Sequence, residues 1–304
     1  MEPFKVHVLG CGSALPTLRH YPSCQVVEIR GKLLMIDCGE GTQMQLRRSH
    51  LRFTKINQVF ISHLHGDHCF GLIGMISTFG MLGRTAPLHI YADGALGAML
   101  DAQLKLFCTG LEYDVVFHPI DTTVRQVIYE DRSMTVTTIP LCHRMACCGF
   151  LISERPTLPH IRREMLGVYD IPVSQINNIK NGMDWVRDDG TAIPNSRLVS
   201  PAEPVRSYAY CSDTKYLPRL HEQIRNVTTL YHESTYASDN EKRAEKFFHS
   251  TAAQAAQVAH DAHAGKLVLG HYSARYDSED VLLDEARKIF PNCILANEML
   301  TFDV

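Results

Sequence analysis

The segment Ser62-His63-Leu64-His65-Gly66-Asp67-His68 sets four side chains that can bind a metal within six residues, directly after the strand-like run Asn57-Gln58-Val59-Phe60-Ile61. Alternate residues of an extended chain point the same way, so His63 and His65 can converge on one cation. Past the bend at Gly66, Asp67 and His68 turn onto a second. A solvated turn that happens to be rich in histidine is the ordinary alternative; the strand context and the density of ligand types favour the metal.

On either side of this segment, short apolar runs alternate with helical-period stretches. FKVHVLG (4–10), CQVVEIR (24–30) and KLLMIDCG (32–39) read as an opening strand meander, and GTQMQLRRSH (41–50) as a helix after a glycine turn. The pattern is helical from Phe70 to Leu82 and from Ala95 to Phe107, with LHIYA (88–92) a strand between them. VRQVIYE, MTVTTIPL, GFLIS, SYAYCSD, TTLYHES and LVLGHYS continue the strands, and CILAN lies near the end. Mixed strands and helices throughout predict a layered α/β fold, and argue against an all-β barrel or a helical bundle. Residues 155–205 interrupt the pattern, with six of the fourteen prolines, the single tryptophan, and six basic residues against six acidic ones. The expectation is one domain over 1–304 with 155–205 as an inserted flexible arm.

Composition narrows the function. The 304 residues carry sixteen histidines against one tryptophan, and seven of the histidines fall between His7 and His89. A formal net charge of −3 excludes a globally basic nucleic-acid binder, so any nucleic acid would have to meet a local patch. No window is apolar enough for a membrane span and the start has no export signal, which predicts a cytoplasmic protein without membrane contact. The ten cysteines form no CxxC pair and sit partly in apolar runs, as reduced buried thiols do.

The loop HLHGDH after a strand resembles the HxHxDH element of the metallo-β-lactamase superfamily. That resemblance implies a four-layer αβ/βα sandwich, with three further ligands at the ends of later strands. His143 follows MTVTTIPLC, Asp213 follows SYAYCS and His271 follows LVLG. By resemblance, His63, His65 and His143 hold one zinc ion, Asp67, His68 and His271 hold the other, and Asp213 bridges them. Each later residue also has an ordinary reading: His143 as a core histidine, Asp213 as the N-cap of a helix beginning near Lys215, and His271 as a turn residue. Their joint placement at strand ends favours ligation.

Within the superfamily, nearly the whole chain resembles the short-form RNase Z family of tRNA 3′-processing endonucleases. VLGCGSALP (8–16) is similar to its glycine-rich start, LLMIDCGEGTQMQL (33–46) to its second signature, and ISHLHGDHCFGLIGMI (61–76) to its metal loop and following helix. YHESTY (231–236) matches its His-Glu-(Ala/Ser)-Thr element and places Glu233, while FFHSTAAQAAQVA (247–259) matches its His-Ser-Thr element and places His249. The resemblance implies removal of the 3′ trailer from precursor tRNA, leaving a 3′-hydroxyl on the tRNA and a 5′-phosphate on the trailer. The implied attacking group is a hydroxide bridging two zinc ions, with manganese or another divalent metal as the alternative. Asp67 would orient it, and His249, held by Glu233, would assist the departing 3′-oxygen. A homodimer is also implied, in which one subunit's arm grips the tRNA cut by the other.

The chain departs from that family where a Lys-x-Arg-Asn run is usual after Pro16. Thr17-Leu18-Arg19-His20-Tyr21-Pro22-Ser23 keeps only Arg19 of that chemistry, and the arm's Gly-Pro tip is replaced by Val173-Ser174. Arg47, Arg48, Arg52 and Lys55 lie in a stretch, 41–57, without an acidic residue, which suits phosphate contacts or a solvated helix face. Two other functions share the ligand set: a dinuclear hydrolase of a small ester or cyclic nucleotide, and a non-catalytic metal-containing binding protein.

Overall fold

The computed structural model describes residues 2–15 and 17–304; Pro16, the first residue of the divergent loop, lies outside them. Period-two alternation builds two seven-stranded sheets, as in Phe4–Gly10, whose residues alternate between buried and half-buried over its first half. The first sheet runs in the order Thr301–Asp303, Phe4–Gly10, Cys24–Ile29, Lys32–Ile36, Ile56–Phe60, Leu88–Asp93, Val115–Ile120. Its first three pairings are antiparallel and its last three parallel. The second sheet runs Cys293–Leu295, Lys266–Gly270, Thr229–Glu233, Ser207–Cys211, Cys148–Glu154, Met134–Pro140, Val127–Glu130. Its first four strands are parallel, so their carboxyl ends share one edge.

The two sheets face each other across one core. Phe60 of the first packs on Phe150 of the second at 5.6 Å between ring centres, among Val6, Val27, Leu34, Val136 and Tyr208, all fully buried. On the outer face of the first sheet, Leu46, Met75, Ile76, Phe79, Leu96 and Leu100 bring in the helices Thr42–Ser49, Leu72–Met81 and Ala95–Phe107. On the second sheet the helix Ala252–Asp261 packs through Ala255, Ala256 and Ala259, small residues that let its backbone lie close. Its start is a capping box: the Gln254 amide donates to Thr251 Oγ1 (3.2 Å) and Thr251 N–H to Gln254 Oε1 (3.0 Å). Helices, sheet, sheet and helices form the four-layer αβ/βα sandwich expected from the sequence.

Parallel strands deliver their chemistry at their carboxyl ends. Asp37 follows Lys32–Ile36, His63 comes three residues after Ile56–Phe60, Asp213 two after Ser207–Cys211, Glu233 closes Thr229–Glu233, and His271 follows Lys266–Gly270. Lys215 begins no helix, so Asp213 is not the N-cap that was one reading of it. The metal loop is pinned to the end of the neighbouring strand: Cys38 N–H donates to His68 O (2.8 Å) and Gly71 N–H to Cys38 O (2.9 Å). A Cβ at Gly71 would fall 2.0 Å from Gly39 O, which is why the helix can begin so close to that strand only with glycine.

Residues Glu154–Val205 cluster as a separate compact unit. It contains the helices Arg163–Val168 and Ile176–Lys180 and two short ribbons, His160–Ile161 with Val199–Ser200 and Trp185–Val186 with Ala192–Ile193. Ile171, Ile179, Ile193 and Leu198 are buried in a core of its own, and Trp185 Nε1 donates to Tyr169 O at 3.1 Å. Each ribbon strand is two residues long, too short for the periodicity of the sequence to reveal. Val173–Gln175, where the Gly-Pro tip would stand, is a single 3₁₀ turn. Among the described residues, no helix is long and apolar enough to cross a membrane.

Truncating Phe150 to alanine should lower the free energy of unfolding by about 3–5 kcal/mol, because the cavity would open between two sheets that cannot collapse onto it. Urea denaturation followed by fluorescence or circular dichroism measures the loss.

Candidate metal centre

The seven residues expected as ligands meet in one place. His63 Nε2 and His143 Nε2 lie 3.0 and 3.2 Å from His65 Nδ1, with Asp213 Oδ2 at 3.7 and 3.8 Å from the first two. Beside them His68 Nε2 is 3.4 Å from Asp67 Oδ2 and 3.5 Å from Asp213 Oδ1, and His271 Nε2 is 3.6 and 3.1 Å from the same two oxygens. Asp213 thus turns one oxygen to each group.

The hydrogen bonds on the far side of each imidazole decide which nitrogen carries a lone pair. His68 Nδ1 donates to Asp37 Oδ2 at 2.7 Å, and His143 Nδ1 to the Phe248 carbonyl at 2.9 Å. The Ser62 hydroxyl spends its hydrogen on Asp37 Oδ2 (3.0 Å), so at His63 Nδ1 (3.1 Å) it can only accept. Thr235 Oγ1 likewise donates to Glu233 Oε2 (2.7 Å) and accepts from His271 Nδ1 (2.9 Å). Four imidazoles therefore engage Nδ1 on the far side and turn Nε2 inward, the nitrogen left to bind a metal. His68 Nε2, His271 Nε2, Asp67 Oδ2 and Asp213 Oδ1 are buried without any hydrogen-bond partner. Lone pairs converging on lone pairs in a buried site repel unless a cation lies among them, so this donor set fits a pair of divalent metal ions.

Burial and neighbouring charges act unequally on these groups. Burial drives the His63 imidazole well below its ordinary value. At His68 burial acts in the same sense, but Asp213, Asp37 and Asp67 outweigh it and hold the group well above. Asp67, also opposed by burial, is kept below the usual carboxylate range by His68 and His271.

Outside the seven, Glu233 is fully buried and accepts from the backbone amides of Thr214 (3.1 Å), Ser250 (3.0 Å) and Thr235 (3.0 Å) and from His249 Nδ1 (2.9 Å). Burial raises its pKa, yet His249 brings it down to about 2. Burial lowers His249, and Glu233 lifts it to about 9. His249 stands within 4.8 Å of Asp213 and His271 through their ligand atoms. It lines, with His65, Asp67, His143, Asp213 and His271, a cavity of about 860 Å³.

Reading the sequence missed the residues that orient the ligands. Asp37 lies inside the quoted signature MIDCG, but nothing in the spacing marks it; the one signal is a carboxylate in an otherwise apolar strand end. Ser62 and Thr235 sat within recognised motifs without a role. Phe248, Asp37 and His271 all adopt left-handed backbone (φ 59°, 56° and 61°), local strain gathered where the site needs its turns.

The structure also places the basic residues singled out in the sequence. Arg19 Nη1 donates to Asp277 O at 2.6 Å and pairs with Glu279 at 3.1 Å, so it ties the loop instead of offering a free guanidinium. His20 is held between Glu298 (Nδ1, 2.9 Å) and Glu279 (Nε2, 3.3 Å), and the hydrogen bond to Glu298 raises its pKa above 6.5 despite partial burial. Arg47, Arg48, Arg52 and Lys55 are exposed, with Arg48 donating to Tyr21 OH at 2.9 Å.

Residues 4–158 match, and belong to, the family described as anti-Pycsar protein Apyc1. That match takes in His63 to His143 and ends before Asp213. The chain is also 56% identical to the Ribonuclease Z of Bacteroides fragilis over 300 residues, 99% of each chain. It belongs to the ribonuclease Z family. Members are endoribonucleases of metallo-β-lactamase fold, and so is this enzyme. Solved structures agree on the fold: human tRNase Z, short form (TM-score 0.71, 24% identity, 99% of both chains) and the metallo-β-lactamase fold protein YhfI of Bacillus subtilis (0.70, 19%, 100% of both).

Exchanging Asp37 for asparagine should weaken metal binding about 10–100-fold, because the amide is neutral and keeps a single oxygen for four donors, which loosens the hydrogen bond that orients His68; chelator competition monitored by metal content reports it. The His20 pair gives a pH signature. Its folded pKa exceeds the unfolded one, so its stabilisation is complete below about pH 6.5 and fades as pH rises through the folded value. His20→Gln should therefore cost more stability at pH 6 than at pH 9 in parallel urea titrations.

Proposed function

We propose that this ribonuclease Z family member removes 3′ trailers from tRNA precursors with two zinc ions per chain, leaving a 3′-hydroxyl on the tRNA and a 5′-phosphate on the trailer. The observation that carries the reading is the pair of buried Glu233 and half-buried His249 standing beside, but outside, the seven converging donors. A set of metal ligands alone serves many hydrolases; an oriented imidazole next to it suits a reaction with a poor alkoxide leaving group. The name Ribonuclease Z on full-length relatives supports it further.

In this reading His63, His65 and His143 hold one zinc, Asp67, His68 and His271 the second, and Asp213 both; nitrogen and carboxylate donors suit zinc, with manganese as the alternative. Zinc bound there supplies Lewis acidity that activates water and takes up charge on the phosphate. Asp67 orients the attacking water. His249, positioned by Glu233 through Nδ1, offers its other nitrogen to the departing 3′-oxygen. Asp37, Ser62 and Thr235 keep the ligand imidazoles in register throughout. The unit from 155 to 205 is the arm that grips tRNA, across a homodimer and in the cytoplasm; the family resemblance supports these three points, and the ten unpaired cysteines, nine of them buried, fit a reducing compartment. Hydrolysis of a small ester with a good leaving group would use the same metals and leave Glu233 and His249 without a task.

Purified enzyme given an in-vitro-transcribed precursor tRNA and, separately, bis-p-nitrophenyl phosphate should cut the precursor at its 3′ trailer, with about two metal ions per chain and loss of cleavage after chelation. Hydrolysis of the small diester with an intact precursor would overturn the proposal, as would full cleavage by His68→Ala.

A further inference from the structure

The mouth of the metal cavity carries a group of side chains that the chemistry above does not use. Phe247, half-buried, lines the cavity two residues before His249. Three cations gather on its ring: the Arg144 guanidinium at 4.8 Å, that of Arg243 at 5.1 Å and the Lys246 ammonium at 5.7 Å. Arg243 and Lys246 come from one turn of the helix Glu241–Phe247, whereas Arg144 arrives from the loop after His143. A solvated helix face would not draw in an arginine from so distant a segment. None of the three forms an ion pair among the described residues, and the nearby Glu241 is engaged by Gln254 Nε2 at 2.9 Å. Like charges gathered this closely repel one another, so the arrangement favours an anion at that rim. A ring edged by cations provides both elements of single-strand recognition, a stacking surface for a base and charge for its phosphates.

We infer that Phe247, with Arg144, Arg243 and Lys246, receives the single-stranded RNA nucleotide that carries the departing 3′-oxygen, stacking its base and holding the phosphates on its 5′ side. This rests on the reading of the chain as a tRNA 3′-processing enzyme. The side of the cut follows from the neighbour: the imidazole that serves the 3′-oxygen is His249, so the residues flanking it meet the upstream nucleotide. Leu15 and the exposed Phe70, which also line the cavity, are left to the trailer. Contacts of this kind are indifferent to base identity, which suits an enzyme acting on many tRNAs.

Steady-state cleavage of a precursor tRNA across a salt series tests this. Phe247→Ala should raise KM about tenfold with kcat within about twofold, and Phe247→Tyr should restore KM. Arg243→Ala with Lys246→Ala should flatten the slope of log kcat/KM against log salt by roughly 1.4, two phosphate contacts at about 0.7 each. Unchanged KM and slope would overturn the inference. So would a Phe247→Ala effect confined to kcat, which would mean that the ring acts through Phe248 and His143, or an equal loss in Phe247→Tyr. A wild-type enzyme that leaves every precursor intact would instead sink the proposed function, and this inference with it.

Discussion

Asp37 is fully buried, in left-handed backbone, and accepts four hydrogen bonds: from Ser62 N–H and Oγ, from His68 Nδ1 and from Tyr210 OH. Tyr210 belongs to the second sheet, Asp37 and Ser62 to the first, so a single carboxylate joins the two layers directly under the donor cluster. Leaving such a charge buried and unpaired costs several kcal/mol, on the order of 3–5 by analogy with broken buried ion pairs. The cost is a constraint: the sheets can close over their apolar faces only in the register that gives Asp37 its donors, and that register points His68 inward. Ser62 extends the effect to His63, and its contact with Ser212 Oγ at 3.0 Å brings in the strand that ends next to Asp213.

A second carboxylate, Glu233, plays the corresponding part on the other side. It gathers three backbone amides and His249, while Thr235 passes its influence to His271. The centre is thus held from two buried anions outward, one within each sheet, and the histidines between them are fixed in tautomer before any metal binds. Preorganisation of this kind lets hard, buried donors wait without rearranging. The match to the anti-Pycsar family spans Asp37 through His143 and leaves Glu233 and His249 outside, which divides the molecule into a half bearing the shared metal loop and a half bearing the oriented imidazole.

The segment in which this chain departs from its family has become structural. Where the family usually carries a Lys-x-Arg-Asn run, Arg19 and His20 fasten the loop to Glu279 and Glu298. Cationic side chains without carboxylate partners remain at the cavity mouth around Phe247, and these are contributed by a helix and a loop that no sequence window joins.

Much of the fold and nearly all of the donor set were legible in the sequence. Strands with period-two burial, helices such as Ala95–Phe107 and the HLHGDH loop are local patterns, in which each residue's environment follows from its near neighbours. His143, Asp213, Glu233, His249 and His271 were legible because parallel strands present their ends on one edge and because each sits in a short motif. The small core of residues 154–205 was not, since two-residue strands have no period to read. Nor were the tautomers, the anchoring of Arg19, or the meeting of Arg144 with the helix that carries Phe247. Each of these depends on atoms brought within hydrogen-bonding or stacking distance from separate segments of the chain, as far apart as the 258 residues between Arg19 and Asp277. Composition and spacing determine which groups are available and which face they share; only the closing of the two sheets decides which lone pairs meet, because the energies of hydrogen bonds and ion pairs fall off over a few ångströms.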